Sequence, residues 1–294
     1  MLVALAVAIT VGILAVTRPW RSSPHAVPAP PARKPTSGNR QHAPTRKRPT
    51  VAPAPSRQAV PILMYHVIAP APASAPYPGL YVPAGEFAAQ MRALAAAGYR
   101  AVTLDQVRAA WLGRARLPAH PLVLSFDNGY RTQYTHALPV LRRLGWVGVE
   151  NLQLSGLPVS QGGLSPREVR RLVAAGWELD TQGFSHADLI RLDPGRLHYE
   201  VAVARSRIRR LYGVPANWFC YPSGHYDATV LAAVAAAGYL GATTVAPGWA
   251  KPSENQFRLP RLRILAGTTP GNLLTQIAGN RGDDPPPSAY PLGA

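Results

Sequence analysis

Four times in this chain a helical stretch stops at a glycine that is followed at once by an aromatic residue and an apolar run. The pairs are Gly98-Tyr99, Gly145-Trp146, Gly176-Trp177 and Gly238-Tyr239. A glycine just past the last periodic residue is a helix C-terminal signal, and a short apolar run after it reads as a buried strand. Before the first pair, residues 84–97 place Phe87, Met91 and Leu94 on one face of a helix. Helix, glycine, aromatic, strand, repeated, implies αβ units and therefore a mainly parallel sheet, open or closed into a barrel. The pieces are supersecondary units and not a solenoid repeat. Pro61–His66 reads as the first strand, and Tyr99–Leu104 as a later one.

The 294 residues suffice for one large domain or two small ones, and composition divides them unevenly. Leu2–Val16 is uncharged and apolar, but shorter than the roughly 20 residues that span a bilayer comfortably. No basic residue precedes it and no small-x-small cleavage site succeeds it. Residues 1–17 are read as a signal anchor or signal peptide, with a buried core helix as the alternative. Arg18 and Arg21 alone would favour a cytoplasmic side for the residues after the apolar run. The downstream domain reads instead as extracellular, so the expectation is a membrane-anchored or secreted protein.

Residues 18–59 are rich in Pro, Ala, Arg and Ser and cannot bury a core, which gives a disordered, partly polyproline linker. That stretch supplies nine of the Lys and Arg residues, leaving about +8 of the net +17 for the remainder. Such charge favours anionic envelope polymers, gripped through the linker, and membrane head groups. There is no nucleic-acid-binding motif. The linker is equally readable as a plain solvated spacer. Globular patterning covers residues 60–279, and residues 280–294, with Pro285-Pro286-Pro287, read as a disordered tail. Cys220 is the only cysteine, so no disulfide forms within the chain.

Within the globular part, Leu122–Tyr130 joins an apolar run to an Asn128-Gly129 turn, which puts the Asp127 carboxylate where a core strand gives way to a loop. Strand ends are where α/β folds build their sites. The alternative is an Asp that hydrogen-bonds its own turn.

Ser125-Phe126-Asp127-Asn128-Gly129-Tyr130 resembles the first motif of the polysaccharide deacetylase family, which has two consecutive Asp before the Gly. The resemblance implies that Asp127 is the general base. The family's second Asp, a metal ligand, is here Asn128. Glu178–His186 resembles the segment carrying the family's His-x-x-x-His metal pair, which here is Gln182 and His186. Trp218–Asp227 resembles the Tyr-Pro-x-Gly-x-Tyr groove wall, making Tyr221 and Pro222 a platform for a sugar face. Leu259–Ile264 resembles the closing Pro-Arg-x-Arg strand, in which Arg261 or Arg263 orients the base carboxylate and contributes to substrate binding. Met64-Tyr65-His66 resembles the opening of a permuted subgroup in which the His, here His66, is the general acid. No Leu-x-Leu-His segment occurs near the C-terminus, which supports that order.

The resemblance implies a distorted (β/α) barrel of about seven parallel strands. It also implies a groove for N-acetylated polysaccharide or peptidoglycan. Asn128 and Gln182 offer only neutral carbonyl oxygens where zinc relies on imidazole, thiolate or carboxylate. His186 is thus either the remnant of a degenerate metal site or a hydrogen-bonding residue of the groove. The expectation is a glycan binder impaired as a catalyst and without a cofactor. The alternatives are an active zinc-dependent de-N-acetylase and an envelope interaction module working through the basic linker.

Overall fold

The computed structural model describes residues 53–282; the apolar N-terminal segment, most of the linker and the tail beyond Gly282 lie outside the described residues. In chain order the elements are β1 (Val60–Tyr65), α1 (Ala84–Ala96), β2 (Arg100–Ala101), α2 (Leu104–Trp111), β3 (Pro121–Asn128), α3 (Leu138–Arg143) and β4 (Val149–Leu152). Then come α4 (Pro166–Ala174), β5 (Glu178–Thr181), α5 (Pro194–His198), α6 (Ala204–Tyr212), β6 (Trp218–Cys220) and α7 (Ala228–Ala236). The last are β7 (Gly241–Thr243), β8 (Trp249–Ala250), β9 (Leu262–Arg263) and α8 (Pro270–Gly279).

The sheet runs β7-β6-β5-β4-β3-β1-β8, with β2 against β3 and β9 against β1. Every pairing is parallel except β1 with β8. This curled sheet of seven strands along its path is the distorted (β/α) half-barrel expected of the αβ grammar. β1 and β3 are buried along their whole apolar length, as a sheet covered on both faces demands.

The four glycines end their helices as expected, each with a positive φ that a side chain would resist. The strands start one to three residues after the aromatic residue, which packs into the core. Trp177, for example, stacks on Phe126 at 4.9 Å. Gly148 lies beneath that stack: a Cβ there would sit 2.8 Å from Trp177 and 2.9 Å from Phe126.

One element departs from the sequence reading. Tyr99–Leu104 forms only the two-residue β2, because Thr103 and Gln106 make a reciprocal capping box that starts α2 at Leu104. Two hydrogen bonds seal the near end of the chain. Ser56 N–H donates to Ala110 O (2.9 Å), and Trp111 Nε1 donates to Gln58 O (2.8 Å). The folded body thus already holds the chain at Ser56, inside the segment read as linker.

Candidate functional site

The parallel strands end on one side of the sheet, and the chain turns there. His66 comes just after β1, Asp127 and Asn128 finish β3, and Gln182 comes just after β5. With His186, Tyr221, Arg261 and Arg263 they line a cleft of about 800 Å³. All of the sequence-predicted site residues except Pro222 line it. Four non-glycine residues among those described have positive φ, and three of them, Asn128, His186 and Ser223, line this cleft. Backbone held in that costly region is a mark of sites rather than of plain packing.

At the cleft floor Asp127 and Arg261 form a buried clamp, each about 1% exposed. Arg261 Nη1 donates to Asp127 Oδ1 (2.7 Å) and Nη2 to Oδ2 (2.9 Å). The remaining guanidinium N–H groups go to Ser125 Oγ (3.2 Å), Cys220 Sγ (3.2 Å) and, from Nε, Thr244 O (2.8 Å). All five donors are therefore used, so Arg261 has none left for a ligand. It is a positioning residue for Asp127 and not a substrate contact. Asn151 Nδ2 adds a 2.8 Å hydrogen bond to Asp127 Oδ1. Burial alone would push the Asp127 carboxyl up, but the Arg261 charge, His66 and these hydrogen bonds outweigh it and hold it down at about 2. Burial pushes the Cys220 thiol up to about 12, so it stays protonated beside the clamp.

His66 stands over this pair, Nε2 3.9 Å from Asp127 Oδ2. Burial is the largest influence on its imidazole and lowers it to about 4 despite the Asp127 charge. His66 is then neutral at neutral pH, and its buried Nδ1 has no protein partner. An imidazole in that state can accept or donate one hydrogen bond, but it does not arrive as an acid. Arg263 is exposed on the cleft wall.

His186 is placed by its loop. Glu200 Oε2 accepts from Phe184 N (2.9 Å) and Ser185 N (2.8 Å), and the Ser185 hydroxyl donates to Glu200 Oε1. Gly183 holds φ +86°, a conformation that side chains resist, and a Cβ there would make a tight 3.2 Å contact with Glu200 Oε2. Burial lowers the His186 imidazole below its ordinary value.

The two amides beside it are committed to the protein. Gln182 Oε1 accepts from the Asn128 backbone N–H at 3.0 Å, and Asn128 Nδ2 points to Gln153 Oε1 at 3.5 Å. The Gln182 oxygen gives one of its two lone pairs to the backbone of the residue that would be its fellow ligand. Among the described residues no three His, Cys, Asp or Glu side chains converge as a metal-binding group. One imidazole, two neutral amides and a carboxylate already saturated by arginine do not fit a zinc dication.

Tyr221 is fully buried: its hydroxyl donates to Phe257 O (2.9 Å), and its ring packs on Tyr226 at 4.9 Å. Pro222 is buried beneath it. Of the two residues read from sequence as a sugar platform, Tyr221 lines the cleft with its ring enclosed by Tyr226, and Pro222 does not line it. The exposed ring at the cleft belongs to Tyr77, 70% exposed between Pro76 and Pro78 and near Leu265. Sequence reasoning missed Tyr77, because it lies in a Pro- and Ala-rich loop that reads as a connector. Asn151 was missed because nothing local marks it; only the register Asp127↔Asn151 brings it alongside. Glu150 was missed too. It is buried, and burial first and Asp127 second drive its carboxyl well above the usual range.

Comparison with known proteins fits this geometry. The profile of the family described as polysaccharide deacetylase matches residues 114–242, which run from before β3 to β7. YxkH of Bacillus subtilis (strain 168), which bears the same family designation, is 27% identical over 210 residues, 71% of this chain and 72% of its own. Residues 114–242 therefore carry a polysaccharide deacetylase domain. Among solved members of similar fold is the Streptococcus pyogenes deacetylase PplD in complex with acetate. It has 23% identity and a TM-score of 0.69, and the match covers 76% of this chain and 99% of that one. A shorter stretch of 52 residues is 40% identical to the poly-beta-1,6-N-acetyl-D-glucosamine N-deacetylase of Escherichia coli (strain K12), covering 18% of this chain and 8% of that protein. Polysaccharide deacetylases are hydrolases that generally use a divalent metal. Asp127 of the buried clamp lies within the residues this profile matches, and Arg261 lies beyond them.

Proposed function

We propose that this protein is a cell-envelope polysaccharide deacetylase relative that holds an N-acetylated glycan in its cleft and turns it over poorly. The observation that carries the reading is the Asn128–Gln182 hydrogen bond standing where the family places a carboxylate and an imidazole. The similarity to a poly-N-acetylglucosamine deacetylase supports the substrate class. The chemistry supports the impairment. A carboxylate near pKa 2 faces water of pKa about 15.7, so direct proton transfer is uphill by about 14 units, or about 19 kcal/mol. A metal that brought water to about 7 would remove well over half of that, and the residues present do not fit one.

These residues are equipped to bind. His66 offers one neutral imidazole N–H or lone pair, Arg263 a cation on the wall, and Tyr77 an exposed ring to cover a sugar face. Asp127 supplies fixed negative charge beneath them. One observation favours a second reading, an active de-N-acetylase: the Asp127–Arg261–His66 arrangement is intact and buried.

The test is to measure binding of N-acetylated chitooligosaccharides and release of acetate in parallel, with and without added zinc. The proposal expects saturable binding with no acetate above an Asp127→Asn control. Zinc-dependent acetate release that this substitution abolishes would establish the second reading instead.

A further inference from the structure

The arginines of α3, α4 and α6 are arranged in a way the cleft does not explain. Each helix carries an Arg-Arg doublet: Arg142 and Arg143 on α3, Arg170 and Arg171 on α4, Arg209 and Arg210 on α6. All six are exposed. The helices are neighbours. Val169 and Val173 of α4 pack with Ile208 and Tyr212 of α6, and Arg170 lies over the Tyr212 ring at 5.7 Å. Arg171 donates to Tyr134 Oη (3.0 Å) in the turn leading to α3.

None of the six forms an ion pair among the described residues, whereas Arg131, Arg191, Lys251 and Arg261 all do. The reason is that nearby acids are consumed structurally. Glu168, the only acidic residue on the three helices, is buried, closes the α4 capping box and pairs with Arg131. A cation in the last turn of a helix complements the helix dipole, for about 0.3–1 kcal/mol. That applies to both arginines of α3 and of α6 and to Arg171 of α4, but so small a gain at exposed positions does not call for paired arginines on three neighbouring helices.

Chemistry narrows the partner. Arginine presents a planar fork that matches phosphate oxygens two at a time, and the doublets contain no lysine. Shallow hollows of about 610 and 670 Å³ lie beside the α3 and α6 doublets, floored by Pro139 and by Gly213 with Pro215. A membrane-docking face would set apolar side chains among its cations, yet of the exposed large hydrophobics only Leu211 belongs to these helices. A single-stranded nucleic acid would want free aromatic rings for its bases, and the Tyr134 and Tyr212 groups here already serve arginines. In αβ units the helices run antiparallel to the strands, so helix C-terminal ends lie away from the strand ends that build the cleft. An occupant of the doublets would leave the cleft open.

We infer that α3, α4 and α6 form a docking face for a linear polyol-phosphate polymer, laid across three successive arginine doublets while the cleft stays accessible. The inference stands independently of whether the cleft turns over its glycan.

The test uses the full chain in detergent and a lipid-free poly(glycerol phosphate) probe. The main variant combines Arg142→Glu, Arg143→Glu, Arg209→Glu and Arg210→Glu, positions whose side chains make no hydrogen bond or ion pair among the described residues. Its expected affinity for the polymer is lower by at least about 100-fold. The slope of log K against log salt should become shallower by about 3, for four lost phosphate contacts on a flexible chain. The melting temperature should fall only modestly, from the reversed charge in the last turns of α3 and α6, and binding of N-acetylated oligosaccharide should stay unchanged. A second variant, with the nine Lys and Arg of residues 18–57 replaced by Gln, separates the linker from the helices. It should keep most of the affinity. Three outcomes overturn the inference: a wild-type affinity for the polymer within fewfold of the four-Glu variant, complete loss of binding in the linker variant, or tighter binding of anionic vesicles or of an oligonucleotide of equal phosphate number.

Discussion

Replacing Arg261 with methionine isolates what the buried clamp does. Asp127 is about 1% exposed and is held near pKa 2 against an ordinary value of 3.8. A folded-state pKa below the unfolded one contributes stability that is present above pH 3.8 and is lost as pH falls towards 2. By linkage this is about 2 kcal/mol at neutral pH. Arg261→Met does more than remove that contribution. It leaves a buried carboxylate whose one remaining side-chain amide donor is Asn151, and breaking a buried pair by removing one partner costs about 3–5 kcal/mol. Burial then acts on Asp127 unopposed and its pKa rises, so the pH dependence reverses. The variant should gain stability on acidification from pH 7 to 5, by up to about 1.4 kcal/mol per unit. Wild-type Asp127 contributes no change over that interval. Adding Asp127→Leu should recover at least half of the loss, since an apolar pair does not need the missing cation. Urea unfolding monitored by tryptophan fluorescence at pH 5 and pH 7 measures all of this. A loss below about 1 kcal/mol for Arg261→Met, with no dependence on pH, would refute the reasoning.

Other consequences rest on particular contacts. Gly148→Ala should destabilise by about 1–3 kcal/mol, because its Cβ would meet the Trp177 and Phe126 rings at 2.8 and 2.9 Å; chemical denaturation checks it. Ser165→Ala removes one half of the α4 capping box and should lower stability by about 1 kcal/mol, read as a fall in the urea midpoint. Glu178, half-buried beside Asp105 and Asp180, is raised to about 7, so its contribution is fully present below its unfolded value of 4.5 and is lost as pH rises through 7. The melting temperature should therefore fall between pH 5 and 8, and Glu178→Gln, which still accepts from Leu104 N, should flatten that fall.

Much of this was legible in the chain because it rests on local patterns. The four glycine–aromatic junctions gave the parallel αβ order, and the apolar run before Asn128-Gly129 placed Asp127 at a strand end. Pro260-Arg261 marked the cation that meets it. What escaped depends on register and depth. Asn151 reaches Asp127 only because β4 pairs with β3 in that register, and Tyr221 looked like an open platform because sequence does not show that Phe257 and Tyr226 enclose it. Strand β2 was overestimated because Val102 and Leu104 extend the apolar pattern while Thr103 and Gln106 quietly start a helix.

The central claim is that two neutral amides, Gln182 accepting from the Asn128 backbone and Asn128 turned to Gln153, stand where a dication needs an anion and an imidazole. The direct measurement is zinc stoichiometry by elemental analysis and calorimetric titration, on the protein as purified and on Asn128→Asp combined with Gln182→His. The expected result is no zinc above buffer level for the former and one equivalent for the latter, which restores an anion and a second imidazole beside His186. One tightly held equivalent in the unaltered protein would contradict the claim.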